Sequence, residues 1–380
     1  MKYVDVILPL PLPGMFTYSV PEGMEGCVVF GKRVLVPLGK SKKYIAMVVK
    51  VHQEKPSFKV KPIEQVLDAT PTLLDRQYRL WSWISNYYMS PLGDVYNAAM
   101  PAGMKSAEKF KPRMELYVEL TNKYRNEASL HVALNMLQRA LKQSKALTTF
   151  LSLSHWDSLE NDTPREGIKK VTKEELMNEA HCTSAIVKSL IDRDILFTYE
   201  EEVGRLNTSG ESHFEQIKPL SIAQQEAYNK ILLQMMKKNV VLLHGVTSSG
   251  KTEVYIHLIK QALDNHKQVL YLLPEIALTV QIMERLHKVF GDRLGIYHSK
   301  YSDVELVEIW NQVLDFERFH SKKYQIVIGS RSSLFLPFSN LGLVIVDEEH
   351  DSSFKQTDPA PRYNARDLSL RLGRLHNSNV

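Results

Sequence analysis

The 380-residue sequence has little cysteine, only Cys27 and Cys182. Two thiols so far apart give neither a disulfide framework nor a Cys-x-x-Cys metal site, and both are expected as inert reduced thiols. No apolar run approaches the roughly 18 to 20 residues that cross a bilayer. Met1-Lys2-Tyr3-Val4-Asp5 leads straight into alternating, strand-like sequence, without the basic start, apolar stretch and small-residue cleavage site of a secretory signal. These absences argue against a membrane or secreted protein and make the cytoplasm the expected compartment. Low-complexity tracts are missing as well, and 44% hydrophobic with 24% charged residues describes a globular chain. Neither sign of charge dominates: a net +5 suits a polyanionic partner without requiring one. The length predicts two or three domains.

Tyr3 to Leu8 alternates in polarity, and Val28 to Val36 and Tyr44 to Val51 are β-branched runs punctuated by Gly31-Lys32-Arg33 and Gly39-Lys40-Ser41. A small β-rich domain is expected, with a helix over 73–88 packed on its sheet through Leu74, Tyr78, Trp81 and Tyr88. After Pro112, Leu130, Leu134, Leu137 and Leu141 have helical period, and a polar loop runs from His155 to Lys169. Thr172 and Glu175 resemble a capping box; a turn at His181-Cys182-Thr183-Ser184 leads to a helix with Ile186, Leu190 and Ile191, then a strand from Leu196 to Tyr199. That order fits a winged-helix module. Glu200 to Pro219 is polar and aperiodic, a linker. Beyond it, apolar strands at Val240–Leu243, Val269–Leu273, Ile326–Ile328 and Leu343–Val346 alternate with amphipathic helices, the pattern of a parallel α/β sheet.

Gly245-Val246-Thr247-Ser248-Ser249-Gly250-Lys251-Thr252 matches G-x-x-x-x-G-K-[ST] in full, after one apolar strand and before a helix. Gly245 and Gly250 let the backbone curl so that its N–H groups and the helix N-terminus face phosphate oxygens, with Ser249 counted among the nucleotide-binding residues. Lys251 adds a mobile positive charge, and Thr252 offers a hydroxyl to magnesium. Asp347 stands at the carboxyl end of the strand Leu343–Val346, where α/β ligands collect, and can hold magnesium through water. Glu348 beside it can orient and deprotonate an attacking water. ATP and magnesium are the expected cofactors. In the first domain Phe16 and Tyr18 are candidate base-stacking groups, with Lys40, Lys42 and Lys43 as a phosphate patch. Behind Asp347, the segment 354–366 offers Lys355, Arg362, Tyr363 and Arg366 for phosphate contact and stacking.

Asp347-Glu348-Glu349-His350 is similar to the second motif of superfamily 2 helicases, which implies that His350 links nucleotide to nucleic acid. Leu220-Ser221-Ile222-Ala223-Gln224 resembles the glutamine motif that recognises adenine, with Gln224 in that role. With Leu272-Leu273-Pro274-Glu275-Ile276-Ala277-Leu278-Thr279, His298-Ser299, the segment Gly329 to Phe338 that includes Arg331, and the tail from Asp347 to Gln356, the sequence resembles the PriA family of bacterial replication-restart helicases. The resemblance reaches the first domain through Pro9-Leu10-Pro11-Leu12, Phe16-Thr17-Tyr18 and Gly31 to Pro37.

The resemblance implies a multidomain α/β chain: a β-rich DNA 3′-end-binding domain at 1–110, a winged-helix domain at 111–205, a linker at 206–219, and one P-loop RecA-like lobe at 220–380. It implies a 3′ to 5′ helicase that recognises stalled forks and initiates primosome assembly. Its partners would be forked and single-stranded DNA, single-strand-binding protein and primosome components, and its place the bacterial nucleoid, with no membrane. Phe16 to Tyr18 with Gly39 and Lys40 would pocket the 3′-terminal nucleotide, and Arg331 would join the DNA-contacting set. Two departures stand out: Thr17 replaces a common aspartate, and Leu306 a common arginine. The second helicase lobe and the zinc-binding cysteines of the family are not in this sequence, so an amino-terminal fragment with weak hydrolysis and no unwinding is expected. The alternatives are a fork-binding scaffold without catalysis and a P-loop enzyme, such as a kinase, acting on a small molecule.

Overall fold

The computed structural model describes residues 2–105, 114–156, 169–202, 216–246, 249–274, 280–298, 301–320 and 323–380. The chain divides into two compact units, Met1–Phe110 with Ser209–Val380, and Lys111–Thr208. Residues 157–168 of the loop expected from His155 to Lys169, and residues 206–215 of the linker expected over 206–219, lie outside the described residues.

The first unit opens with strands β1 (Lys2–Ile7), β2 (Phe16–Val20), β3 (Arg33–Leu38), β4 (Lys42–His52) and β5 (Gln65–Val66), an antiparallel sheet in the order β2-β1-β4-β3-β5. Side chains two apart share a face, and Val4, Val6, Tyr18, Val20, Val34, Val36, Ala46 and Val48 form one core. The strand expected from Val28 starts only at Arg33, because Gly31 pins the chain. Its carbonyl accepts the N–H groups of Thr72 (2.8 Å) and Leu73 (3.1 Å). With φ at +81°, a Cβ there would lie 2.3 Å from the Leu73 carbonyl oxygen, which glycine alone avoids.

Helices α1 (Asp75–Tyr87), α2 (Leu92–Ala99) and α3 (Ala102–Lys105) follow. Helix α1 lies against α2 and against the helix Ala365–His376, and α2 meets β1. Its buried face is Gln77, Leu80, Trp81 and Ile84, leaving Tyr78 and Tyr88 half-buried.

In the second unit, β6 (Met114–Leu120), α4 (Glu127–Met136), α5 (Leu141–Leu153), β7 (Val171–Thr172), α6 (Lys173–Glu179), α7 (Ser184–Asp192) and β8 (Leu196–Glu202) build a three-stranded antiparallel sheet, β7-β6-β8, with helices on it. The cap at Thr172 is present, its hydroxyl accepting the Glu175 N–H at 3.0 Å. The leucine run read as one helical period is two helices. The chain turns at 137–140, with Leu137 buried and Leu141 78% exposed at the start of α5.

The first unit resumes with α8 (Ile222–Met235), α9 (Lys251–Asp264), β9 (Gln268–Leu272), α10 (Val280–Phe290), β10 (Leu294–Tyr297), α11 (Asp303–Leu314), α12 (Phe316–Phe319), β11 (Ile326–Gly329), β12 (Leu341–Val346) and α13 (Ala365–His376). The four strands are parallel in the order β10-β11-β9-β12. β9 and β11 are buried along their whole length, as a sheet covered on both faces requires.

The apolar run Val240 to Leu243, expected as the strand before the phosphate loop, forms no strand. The Val241 N–H donates to Val380 (2.9 Å), the Val380 N–H to Asn239 (2.7 Å), and the Val344 N–H to Asn379 (2.8 Å). So short a ladder ties the run to Asn379–Val380, which lie between it and β12, yet leaves Leu242 74% exposed. The opening domain and the α/β lobe belong to one unit and are bonded directly. Gln77 Nε2 donates to the Phe335 carbonyl (2.8 Å), Arg76 to that of Ser339 (2.8 Å), and the Trp310 indole to that of Thr72 (3.3 Å).

Candidate active site

Gly250 caps the N-terminus of α9 with φ at +81°. A Cβ there would also meet Gln224 Nε2 at 2.3 Å. The turn aims the first N–H groups of α9 outward, at the end of a helix that favours anions. Lys251 heads that helix, its Nζ donating to the Gly245 carbonyl (3.3 Å) and pairing with Glu348 Oε1 (3.2 Å). Gln224 belongs to the capping box of α8: its Oε1 accepts the Ser221 N–H (2.9 Å), while its Nε2 donates to the Gly250 carbonyl (3.2 Å). Ser249 is exposed and Thr252 half-buried. Thr247 and Ser248 lie outside the described residues, as do 275–279 and Ser299 of the family-like segments.

Asp347 leaves β12 beside β9, its N–H donating to the Leu272 carbonyl (3.0 Å). Its Oδ2 accepts the Tyr271 hydroxyl at 2.9 Å; its Oδ1 accepts the Tyr255 hydroxyl at 3.4 Å and the Glu348 N–H at 3.1 Å. Burial first, then the Asp347 carboxylate, pushes both phenols well above their ordinary pKa, so both remain donors. Glu348 sits in the left-handed region at φ 49°, which costs a non-glycine residue roughly 1–2 kcal/mol. That backbone turns its side chain toward Lys251. His350 is 76% exposed at the side chain, 3.9 Å from Glu348 Oε2. Glu349 pairs with Arg366 at 3.1 Å.

Lys251, Glu348, Asp347, Gly245 and Gln224 therefore converge on one side of the parallel sheet. Magnesium is held by one or two carboxylates together with substrate phosphates and water. Asp347 stands at the carboxyl end of β12 and Thr252 is the second residue of α9. No cluster of three or more His, Cys, Asp or Glu able to cage a metal occurs among the described residues. Sequence reading named these groups but missed Tyr255 and Tyr271; the only signal was a tyrosine inside an otherwise apolar strand.

The residues chosen for DNA contact are less uniform. Tyr18 is buried at 4% exposure, its hydroxyl donating to the Pro37 carbonyl (3.1 Å). It is no stacking platform, because it shares its strand face with the core residue Val20. Phe16 is half-buried. Thr17, on the opposite face, donates to Asp5 Oδ1 at 2.7 Å. Gly39 adopts φ 68° and its carbonyl accepts Lys61 Nζ, a contact not anticipated from sequence. Lys40 and Lys42 are exposed, and Lys43 pairs with Glu64 at 2.6 Å. Tyr363 is also corrected: it is 1% exposed, edge-on to Phe335 at 5.3 Å. The exposed cations of the same segment are Lys355, over the Tyr88 ring at 5.4 Å, Arg362, near Asp358 at 3.6 Å, and Arg366. Half-buried Arg331 donates to the Lys355 carbonyl (3.0 Å).

Three family models match the chain: a 3′ DNA-binding domain of PriA over residues 5–101, a winged-helix domain of PriA helicase from Bacteroidota over 115–203, and the DEAD/DEAH box helicase domain over 221–372. The replication restart protein PriA of Haemophilus influenzae is 34% identical over 383 residues, covering all of this chain and 48% of its own length. That of Bacillus subtilis is 29% identical over all of this chain and 52% of its own length. Over 159 residues, 42% of this chain, that of Helicobacter pylori J99 is 47% identical. The class so defined is a DEAD/DEAH box helicase lobe, a kind that generally uses ATP and magnesium, joined to DNA-binding domains. The chain belongs to the PriA family of replication restart proteins. It spans about half the length of the curated relatives it matches.

Proposed function

We propose that this chain provides the nucleotide-binding lobe and DNA-binding domains of a 3′ to 5′ DNA helicase. The helicase would recognise stalled replication forks and initiate primosome assembly. The observation that carries the reading is the convergence of Lys251, Glu348 and Asp347 in the same compact unit as the opening domain. In this reading the N–H groups of α9, with Gly245, Ser249 and Gly250, receive the phosphates, and Gln224 reads adenine. Lys251 exchanges Glu348 for phosphate, which frees the Glu348 carboxylate to take a proton from the attacking water. Asp347 and Thr252 hold magnesium, which when bound neutralises charge on the phosphates. The pair Glu349–Arg366 ties this motif to the segment 354–366. There Lys355, Arg362, Arg366 and His350, with Arg331, would sense DNA, while Phe16, Gly39 and Lys40 would meet the 3′ end. Domain limits at 110, 205 and 219 go with the reading, as do single-strand-binding protein and primosome partners and a place at the nucleoid.

One second reading has an observation behind it: Lys251 is held by Glu348, an arrangement suited to a fork-binding scaffold that does not turn over ATP. ATP turnover measured with and without forked DNA separates the two. DNA-stimulated hydrolysis supports the motor. Absent hydrolysis, with fork binding indifferent to Lys251→Ala, selects the scaffold; hydrolysis indifferent to DNA would point to a P-loop enzyme of another class.

A further inference from the structure

We propose that Tyr271 is a positioning residue for the magnesium-holding carboxylate, an inference that rests on the nucleotide-site reading above. β9 and β12 are neighbours, and Tyr271 pairs in register with Ile345, two residues before Asp347. Val269, Tyr271 and Leu273 belong to the core beneath α9, which sends Tyr255 to the same point. The two rings meet edge to face at 5.7 Å. Tyr271 is fully buried, so its hydroxyl has no water to turn to. A buried hydroxyl is unfavourable unless bonded, and its bond here is the 2.9 Å one to Asp347 Oδ2. Phenylalanine would fill the same space without that obligation, so the use of the hydroxyl lies at Asp347.

The contacts also say which oxygen stays available. A carboxylate offers about four lone-pair directions. Oδ1 accepts two donors, Tyr255 and the Glu348 N–H; Oδ2 accepts only Tyr271. The remaining direction belongs to Oδ2, the oxygen that Tyr271 steers. Tyr271 thus fixes the rotation of the carboxylate, so that Oδ2 stands ready for the ion or its bound water.

The test follows binding of a fluorescent ATP analogue by this chain and by Tyr271→Phe as magnesium is titrated, and again in EDTA. Removing an outer partner of a metal ligand costs about 10-fold or more in metal affinity. The magnesium half-saturation should rise by about that factor in Tyr271→Phe, with affinity in EDTA unchanged. Tyr255→Phe, at the longer 3.4 Å contact to Oδ1, should shift it less; if Tyr271→Phe does not fold, Tyr271→Leu, which also lacks the hydroxyl, is read in its place. An unchanged half-saturation overturns the proposal, as does equal weakening in EDTA, which assigns Tyr271 to packing. If the parent chain binds no nucleotide in either condition, the nucleotide-site reading fails first and takes the proposal with it, a result visible before any variant is compared.

Discussion

The phosphate loop with its acidic partner and the β2 strand of the opening domain were both read from short motifs, and the structure treats them differently. Lys251 and Glu348 lie 97 positions apart in sequence and 3.2 Å apart in space. Phe16 and Tyr18 are two apart on one strand, and Tyr18 lies in the core. Charged groups of opposite sign at a sheet's carboxyl edge have little competing use in a folded chain. An aromatic ring always has one, because burial recovers the large apolar surface it would otherwise expose. Alternation in β2 already carried the answer. Tyr18 and Val20 share a face, and a face that holds Val20 faces inward, while Phe16 at the start of the strand is only half-buried.

The sharpest way to break this contrast is Tyr18→Ala. If Tyr18 is a core residue, the loss should be roughly 3–5 kcal/mol of stability, read by chemical denaturation. A DNA-stacking residue would weaken DNA binding at nearly constant stability instead. Tyr363→Ala should behave in the same way. Lys251→Ala is the opposite case: nucleotide-dependent turnover should fall by about 10²–10³, the scale for losing one preorganised charge-stabilising group, while the denaturation midpoint stays close to the parent's. A large loss of stability from Lys251→Ala would place that lysine among the structural residues and erase the distinction.

How much was legible follows from the same contrast. The parallel sheet was readable because β9, β11 and β12 are continuous apolar runs, which only a sheet covered on both faces tolerates. The run Val240 to Leu243 has the same composition yet forms no strand, since strand identity also needs neighbours to pair with, and the bonds there run to Val380. The amphipathic face of α1 was visible, but not its partner. Trp81 and Gln77 could serve a sheet or a helix equally; Trp81 meets Tyr96 of α2, and Gln77 donates to Phe335 of the α/β lobe. Tyr271 and Tyr255 carried no motif at all. Their meaning comes from β9 and α9 flanking Asp347, a relation that spacing along the chain does not encode.

His376 extends the comparison to a buried group that sequence left unremarked. It ends α13 with Nδ1 3.5 Å from Arg76 Nη1, and burial, aided by that guanidinium, lowers its pKa from 6.5 to about 4. Between those two values the unfolded chain binds the extra proton, so stability present above pH 6.5 is lost progressively as pH falls toward 4. The loss amounts to roughly 3 kcal/mol at most. Denaturation midpoints of the parent and His376→Gln at pH 7, 5.5 and about 4.5 should converge as pH falls. Parallel curves would mean that His376 is not the buried neutral group described.

The smallest expected effect tests the exposed side of the opening domain, where burial no longer competes with function. Lys40 is exposed on the turn between β3 and β4, next to the Gly39 carbonyl that Lys61 grips. If it contacts one phosphate, Lys40→Ala should lower DNA affinity alike for all sequences and reduce the slope of log affinity against log salt by about 0.7 to 0.9. Stability should not change, because the side chain packs against nothing that its removal would leave empty. Lys43, already paired with Glu64 at 2.6 Å, should change the slope less, since its charge is partly neutralised before DNA arrives. An equal effect from both lysines would mean that DNA breaks the Glu64 pair, and the phosphate patch would then extend along β4 rather than ending at the turn.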